Sequence, residues 1–334
     1  MLTGSVLESL RSACPIPPRL SPHADRVQRW LGEELLPGLG LPLDGAARNR
    51  LAAAGFARYA GRLYPDAGEA DLRVVTALFT WFFLVDDACD GPGRLGTEQI
   101  RALRAAAVTM LTSGPRVRHA GLTGPLRRLL LRAWREPWRR MPARWRARMA
   151  EAVAHHLDGT WQEAVNKAAG RRPGVAEYVE LRRATSAAYV SYPLVEFVTG
   201  RPLPDPVYRH PLLRRIADTG NDLLSWYNDL ASLERDQATS GGHNLVLAVA
   251  AERRVPVETA VELVADRWRE SMRHFVEFRA AVPSFGPTLD EAVTDHLEAV
   301  ANAVRGTVEW TLESARYPGA RPEPATASRI RGPG

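Results

Sequence analysis

Ala, Leu, Arg and Glu recur at three- and four-residue spacing through most of this chain, and alternating apolar–polar runs bounded by tight turns are almost absent. A helix brings residues i, i+3 and i+4 onto one face whereas a strand switches face at every residue, so this periodicity predicts an all-α fold. Helices are expected over Pro22–Leu35, Ala46–Leu63, Ala70–Asp86, Thr97–Leu111, Pro125–Arg135, Pro142–Lys167, Val175–Tyr192, Pro211–Asn221, Leu224–Asp236, Asn244–Ala251, Pro256–Ala281 and Thr288–Ala315. The Gly/Pro-rich pieces between them, such as GLGLPLDG, DGPGRLG and SFGP, have the length of inter-helix loops. Without a solenoid period or a dividing linker, these dozen or so helices are expected to pack as one bundle. The chain has 334 residues, 45% of them hydrophobic, which is enough apolar surface for a sizeable core. Residues 1–20 and the Pro/Gly-rich tail 318–334 are expected to be flexible, leaving 21–317 as the working domain.

Net charge is +6, and Lys167 is the only lysine among 44 basic residues. Such a balance hints at a polyanionic or phosphorylated ligand and says nothing about fold. Cys14 and Cys89 are too few for a disulfide framework. The N-terminus lacks a basic start followed by an apolar core, and no run of about 18 apolar residues occurs, so a cytoplasmic protein without a membrane span is expected.

The stretch WFFLVDDACD places Asp86, Asp87 and Asp90 at the end of a segment that is bulky and apolar on nearly every side. At about 100° per residue Asp86 and Asp90 share a face, with Asp87 beside them. Carboxylates are disfavoured at a helix C-terminus and repel one another when crowded, so a cation is the expected neutraliser. Oxygen-only donors favour a hard ion, and Mg²⁺, which keeps waters and takes substrate phosphates, suits them best.

A second polar stripe lies in TGNDLLSWYNDLASLERD. Two registers each space three oxygen donors at i, i+4 and i+8 on one helix face: Asn221, Ser225, Asp229 and Asn228, Ser232, Asp236. Side chains of this kind compete for backbone hydrogen bonds and weaken a helix, so a stripe kept on one face suggests a purpose other than solvation.

DDACD followed by NDLASLERD resembles the paired metal motifs of bacterial class I terpene synthases, DDxxD and NDxxSxxxE. Three further likenesses select the register at Asn228: Arg235 just before the last acid, His243-Asn244-Leu245 seven residues beyond it, and Arg182 46 residues before Asn228, the place of the family's diphosphate-sensing Arg. The other register would need an Arg where Val175 stands. Arg316-Tyr317 matches the family's C-terminal Arg-Tyr pair. The final acid is Asp236 where the family pattern ends in Glu, one methylene longer.

The resemblance implies a class I terpenoid synthase α-helical bundle around a central cavity, ionising a prenyl diphosphate with three Mg²⁺ ions. Asp86 would bridge two ions with Asp87 and Asp90 around it, and Asn228, Ser232 and Asp236 would hold the third. Arg182, Arg235, Arg316 and Tyr317 would donate to the diphosphate, and Phe83 and Trp310 would present ring faces to the carbocation, each worth about 0.5–2 kcal/mol. Trp81 or Phe82 would face the hydrocarbon as well, unless they are plain core. The stretch RATSAAYVSYP is poor material for a straight helix, and a break there, with Thr185 and Ser186 at the family's moving positions, would aim carbonyls into the cavity. Farnesyl diphosphate is the default substrate, followed by geranylgeranyl and geranyl diphosphates, and a homodimer is compatible with the family.

Two other readings compete. A prenyl-diphosphate elongase shares the chemistry but uses two Asp-rich motifs and a second basic diphosphate site. A nucleic-acid-binding module would use the eleven arginines between Arg116 and Arg148, interleaved with Trp134, Trp138 and Trp145, although outer helices also carry arginines in solvent with their stems over apolar surface. His155 and His156 are read as structural.

Overall fold

The computed structural model describes residues 2–41, 45, 51–90, 94–238 and 243–314. Among them the regular structure is helical, apart from one isolated β-bridge between His119 and Leu122. The long helices are α1 (Leu2–Ala13), α2 (Ala24–Trp30), α3 (Phe56–Leu63), α4 (Glu69–Asp90), α5 (Thr97–Ser113), α6 (Gly124–Arg140), α7 (Ala143–Ala168), α8 (Val175–Thr185), α9 (Pro211–Ala238), α10 (Leu245–Arg253), α11 (Val257–Ala280) and α12 (Asp290–Glu313). Short helical turns at Ala188–Ser191, Leu194–Thr199 and Asp205–Tyr208 connect α8 to α9.

α4 packs against α3 and α6, while α9 lies between α11 and α12. Leu72, Val75, Leu78, Phe79, Trp81, Phe82 and Val85 are all buried along α4, as its all-round apolar pattern predicts. It continues to Asp90, one turn beyond the expected end at Asp86, so the aspartates ride on the helix's last turn.

Three expectations are corrected. The segment 2–20, expected to be a flexible lead, is not one: α1 buries Val6, Leu7 and Leu10 in the main core. Its last carbonyls, which a helix cannot satisfy itself, are taken by Arg305, which donates to the oxygens of Arg11 and Cys14. The two helices expected over Pro211–Asn221 and Leu224–Asp236 are one helix. Its weak middle is supported from outside, because Asn221 donates to the Arg183 carbonyl and Trp268 donates to the Leu223 carbonyl. The helix expected from Ala46 restarts at Phe56 after Gly55, whose φ of 71° is left-handed; residues 46–50 lie outside the described residues.

The break expected after Arg182 falls at Ser186–Ala187. Ala187 has a φ of 59°, and the Ser186 hydroxyl takes the Ala188 amide at 3.1 Å. α7 approaches this break so closely that a Cβ on Gly159 would lie 2.6 Å from the Ala184 Cβ.

The arginines between Arg116 and Arg148 are largely engaged within the fold. Arg127 and Arg128 donate to main-chain carbonyls, Arg132 lies over Trp30, Arg140 pairs with Asp71, and Arg146 covers Trp138. Arg148 is buried against Glu196. Among the described residues no helix is long and apolar enough to cross a membrane.

Candidate active site

The last turns of α4 and α9, the end of α8 and the end of α12 carry the candidate residues. Asp86 and Asp87 are exposed on α4, where the sequence suggested a buried helix end, and the Asp90 side chain lies outside the description. On α9 the stripe holds its predicted face. Asn228 and Asp236 are half-buried and Ser232 is buried between them. The Ser232 hydroxyl donates to Asp236 Oδ2 at 2.6 Å, Asn244 Nδ2 donates to the same oxygen at 3.0 Å, and Arg235 Nε reaches Oδ1 at 3.3 Å. The shorter acid at 236 is thus held by its own helix and by the residue that caps α10.

Arg182, from α8, donates through one terminal nitrogen to Asn228 Oδ1 at 3.1 Å and through Nε to Asp229 Oδ1 at 3.0 Å. The 46-residue spacing counted in the sequence is therefore a contact in space. Burial works against the guanidinium charge, but the Asp229 carboxylate more than offsets it and holds Arg182 above its ordinary pKa. The rival stripe is buried and committed: Ser225 donates to Asn221 Oδ1, and Asp229 takes Arg182, the Tyr178 hydroxyl and the Leu245 amide.

Phe83 and Trp310 meet with ring centroids 5.5 Å apart. Two residues passed over in the sequence complete this aromatic cluster. Phe56 stacks on Phe83 at 4.3 Å, and Tyr59 stacks on Trp310 at 4.6 Å with its hydroxyl 2.9 Å from Thr307 Oγ1. Their spacing of three in GFARYAG placed them on one helix face, which was the available signal. Trp81 and Phe82 are core residues: Trp81 is fully buried, and Phe82 packs edge-on against Trp81 and His156. His156 is structural as read, its Nδ1 3.2 Å from the Ala184 carbonyl, and burial lowers its pKa to about 4. The Thr185 and Ser186 hydroxyls fold back onto the carbonyls of Arg182 and Arg183. Arg316 and Tyr317 lie outside the described residues.

Could these donors hold a metal? They are oxygens throughout, which suits a hard divalent cation. Among the described residues no three His, Cys, Asp or Glu side chains form a metal-enclosing group, so a bound ion would draw on Asn228 and Ser232 and on water or ligand oxygens.

A family profile described as terpene synthase family 2, C-terminal metal binding, matches residues 77–274. Sesquiterpene synthase Agr1 of Cyclocybe aegerita is 30% identical over 273 residues, covering 80% of this chain and 75% of the relative. The (+)-T-muurolol synthase, (2E,6E)-farnesyl diphosphate cyclizing, of Roseiflexus castenholzii is 28% identical, covering 92% and 93%. In fold, the chain is similar to the linalool/nerolidol synthase of Streptomyces clavuligerus with a TM-score of 0.79, 24% identity, and coverage of 89% and 99%. With the α4 carboxylates, the α9 stripe and the Arg182 contact in place, the chain belongs to the terpene synthase family, as a bacterial class I terpene synthase that cyclises a prenyl diphosphate.

Proposed function

We propose that the substrate is farnesyl diphosphate and that the reaction needs Mg²⁺, three ions with substrate bound. The relatives named as sesquiterpene and farnesyl diphosphate-cyclizing enzymes support the C15 length. The observation that carries the site assignment is the Arg182–Asn228 hydrogen bond, which brings a diphosphate-binding cation onto the metal stripe.

Asp86, with Asp87 and Asp90 around it, and Asn228, Ser232 and Asp236 would hold the ions, whose chemistry is electrostatic stabilisation of the departing diphosphate. Arg182, Arg235, Arg316 and the Tyr317 hydroxyl donate to its oxygens, and the fixed fork of Arg suits paired oxygens. As the allylic C–O bond breaks, both electrons leave with the diphosphate and the cation remains against Phe83, Trp310 and their stacked partners. The break at Ser186–Ala187, beside Thr185, stands at the family's moving positions, and closure around the cation would keep bulk water out.

The test is diphosphate release and gas-chromatographic product analysis with C10, C15 and C20 prenyl diphosphates, beside an Asp86→Ala, Asn228→Ala double variant. A cyclic C15 terpene that requires Mg²⁺ and is lost in the variant is expected. Turnover of only the C10 or C20 substrate would overturn the farnesyl assignment, and chain elongation on adding isopentenyl diphosphate would favour an elongase.

A further inference from the structure

Asp229 follows Asn228 directly but points around α9 into the core, where its side chain is 3% exposed. Its Oδ1 accepts Arg182 Nε at 3.0 Å, and its Oδ2 accepts the Tyr178 hydroxyl at 2.6 Å and the Leu245 amide at 3.1 Å. Its main-chain carbonyl accepts Asn244 Nδ2 at 2.7 Å, the same nitrogen that reaches Asp236. One carboxylate therefore joins α8, the metal-stripe helix and the first turn of α10. Three donors converge on it, and among side chains of this size only an acceptor-only carboxylate satisfies them all.

Resting on the reading given above, we propose that Asp229 is a positioning residue for the ionisation step: it holds Arg182 by Nε as a pivot while the outer edge of the guanidinium passes from Asn228 to the diphosphate. An arginine side chain has four rotatable bonds and would otherwise lose much entropy on engaging a ligand. Here its two acceptors are adjacent residues of one helix, so α9 fixes the fork relative to the metal stripe. The terminal nitrogen on Asn228 Oδ1 occupies the atom that the stripe offers to a cation. Transfer of that nitrogen to a diphosphate oxygen takes the Arg182 donor off the Asn228 side-chain oxygen, while Nε stays on Asp229. Negative charge on the leaving group grows as the C–O bond breaks, so a correctly aimed N–H contributes more in the transition state than in the ground state.

The experiment compares wild type, Asp229→Asn, Arg182→Gln and the double variant by steady-state diphosphate release and by calorimetric binding of inorganic diphosphate with Mg²⁺. Asp229→Asn keeps the side-chain volume and removes the charge. It is expected to lower kcat about 100-fold with KM within about threefold, a loss typical of a misplaced catalytic group, and to weaken diphosphate binding about tenfold, the scale of one lost charge-assisted contact. In the Arg182→Gln background the same change should add less than about threefold to either readout, because groups that act as a unit are non-additive. Multiplying effects, or a rise in KM matching the fall in kcat, would show a merely structural residue and overturn the proposal. If Asp229→Asn does not fold, Tyr178→Phe removes one donor from Oδ2; an unchanged kcat and unchanged diphosphate affinity there overturn it equally. A wild-type protein that releases no diphosphate from any prenyl substrate defeats the functional reading instead, and the calorimetric arm then decides the role of Asp229.

Discussion

Gly159 faces the Ala184 Cβ across the α7–α8 contact, two residues from Arg182. In Gly159→Ala the new Cβ would stand 2.6 Å from the Ala184 Cβ, about 1 Å inside the roughly 3.5–4.0 Å of ordinary carbon contact. Both Cβ atoms are fixed directly on helix Cα atoms and no side-chain rotation moves them, so α8 must move. Overpacking of this kind costs about 1–3 kcal/mol, and the better helix propensity of Ala returns about 1 kcal/mol. The net loss is about 0–2 kcal/mol, which at about 2–4 °C per kcal/mol lowers Tm by no more than roughly 8 °C. Activity should respond far more, because a displacement of about 1 Å in a positioned group costs on the order of 100-fold in rate. The assay pairs a thermal melt with the rate of diphosphate release. Adding Ala184→Gly removes the closest clash and should restore most of the rate, since the remaining contacts to the Thr185 Cγ2 and the Ala184 carbonyl carbon are 3.3 Å. A Gly159→Ala enzyme with wild-type kcat, or a double variant no better than the single, would refute the reasoning.

Phe56→Leu removes the ring stacked on Phe83 and should cost about 1 kcal/mol of stability while shifting product proportions at unchanged diphosphate release; an unaltered product profile counts against Phe56 as part of the wall. Stability should also fall as pH drops from about 6.5 to 4. Burial lowers His156 and His296 to about 4, so the unfolded chain binds their protons first, and each shift is worth roughly 3 kcal/mol. Burial raises Glu196 to about 7 despite Arg148, and it titrates in the opposite sense between its ordinary value and 7, offsetting about one histidine. A net loss of about 3 kcal/mol by urea unfolding is expected, and a flat profile between pH 7 and 4 would contradict it.

The candidate site residues were legible because their spacing is a property of single helices. Asp86 and Asp87 at the end of an apolar run, and Asn228, Ser232 and Asp236 at four-residue steps, need only helical periodicity to be seen, and the count back to Arg182 supplied one contact between helices. What escaped was set by partners far along the chain. α1 looked like a loose end because its apolar face is short and its stabilising groups, Arg305 and Glu309, stand about 290 residues away. The continuity of α9 through Asn221 and Asp222 depends on Arg183, which local propensity does not register. Asp229 was visible in the motif, but only its neighbours in space show that it faces Arg182 and Tyr178 in the core and not the Asn228–Ser232–Asp236 stripe.

The pairing of the first helix with the last also bears on how the chain is made. Arg11 grips Glu309 through two nitrogens across 298 positions, while Arg58 and Arg62 hold Glu313 on the following turn. A ribosome delivers α1 long before α9 and α11, against which it packs, and the Arg11–Glu309 clamp must wait longer still for α12, so its apolar face stays uncovered or leans on provisional neighbours until most of the chain is made. Contacts this distant in sequence form late and slowly. The end of α12, which precedes Arg316 and Tyr317 in the sequence, thus becomes clamped only as the whole chain closes, and a nascent or truncated product would present the candidate carboxylates of α4 without the helix that brings Trp310 to Phe83 and Tyr59.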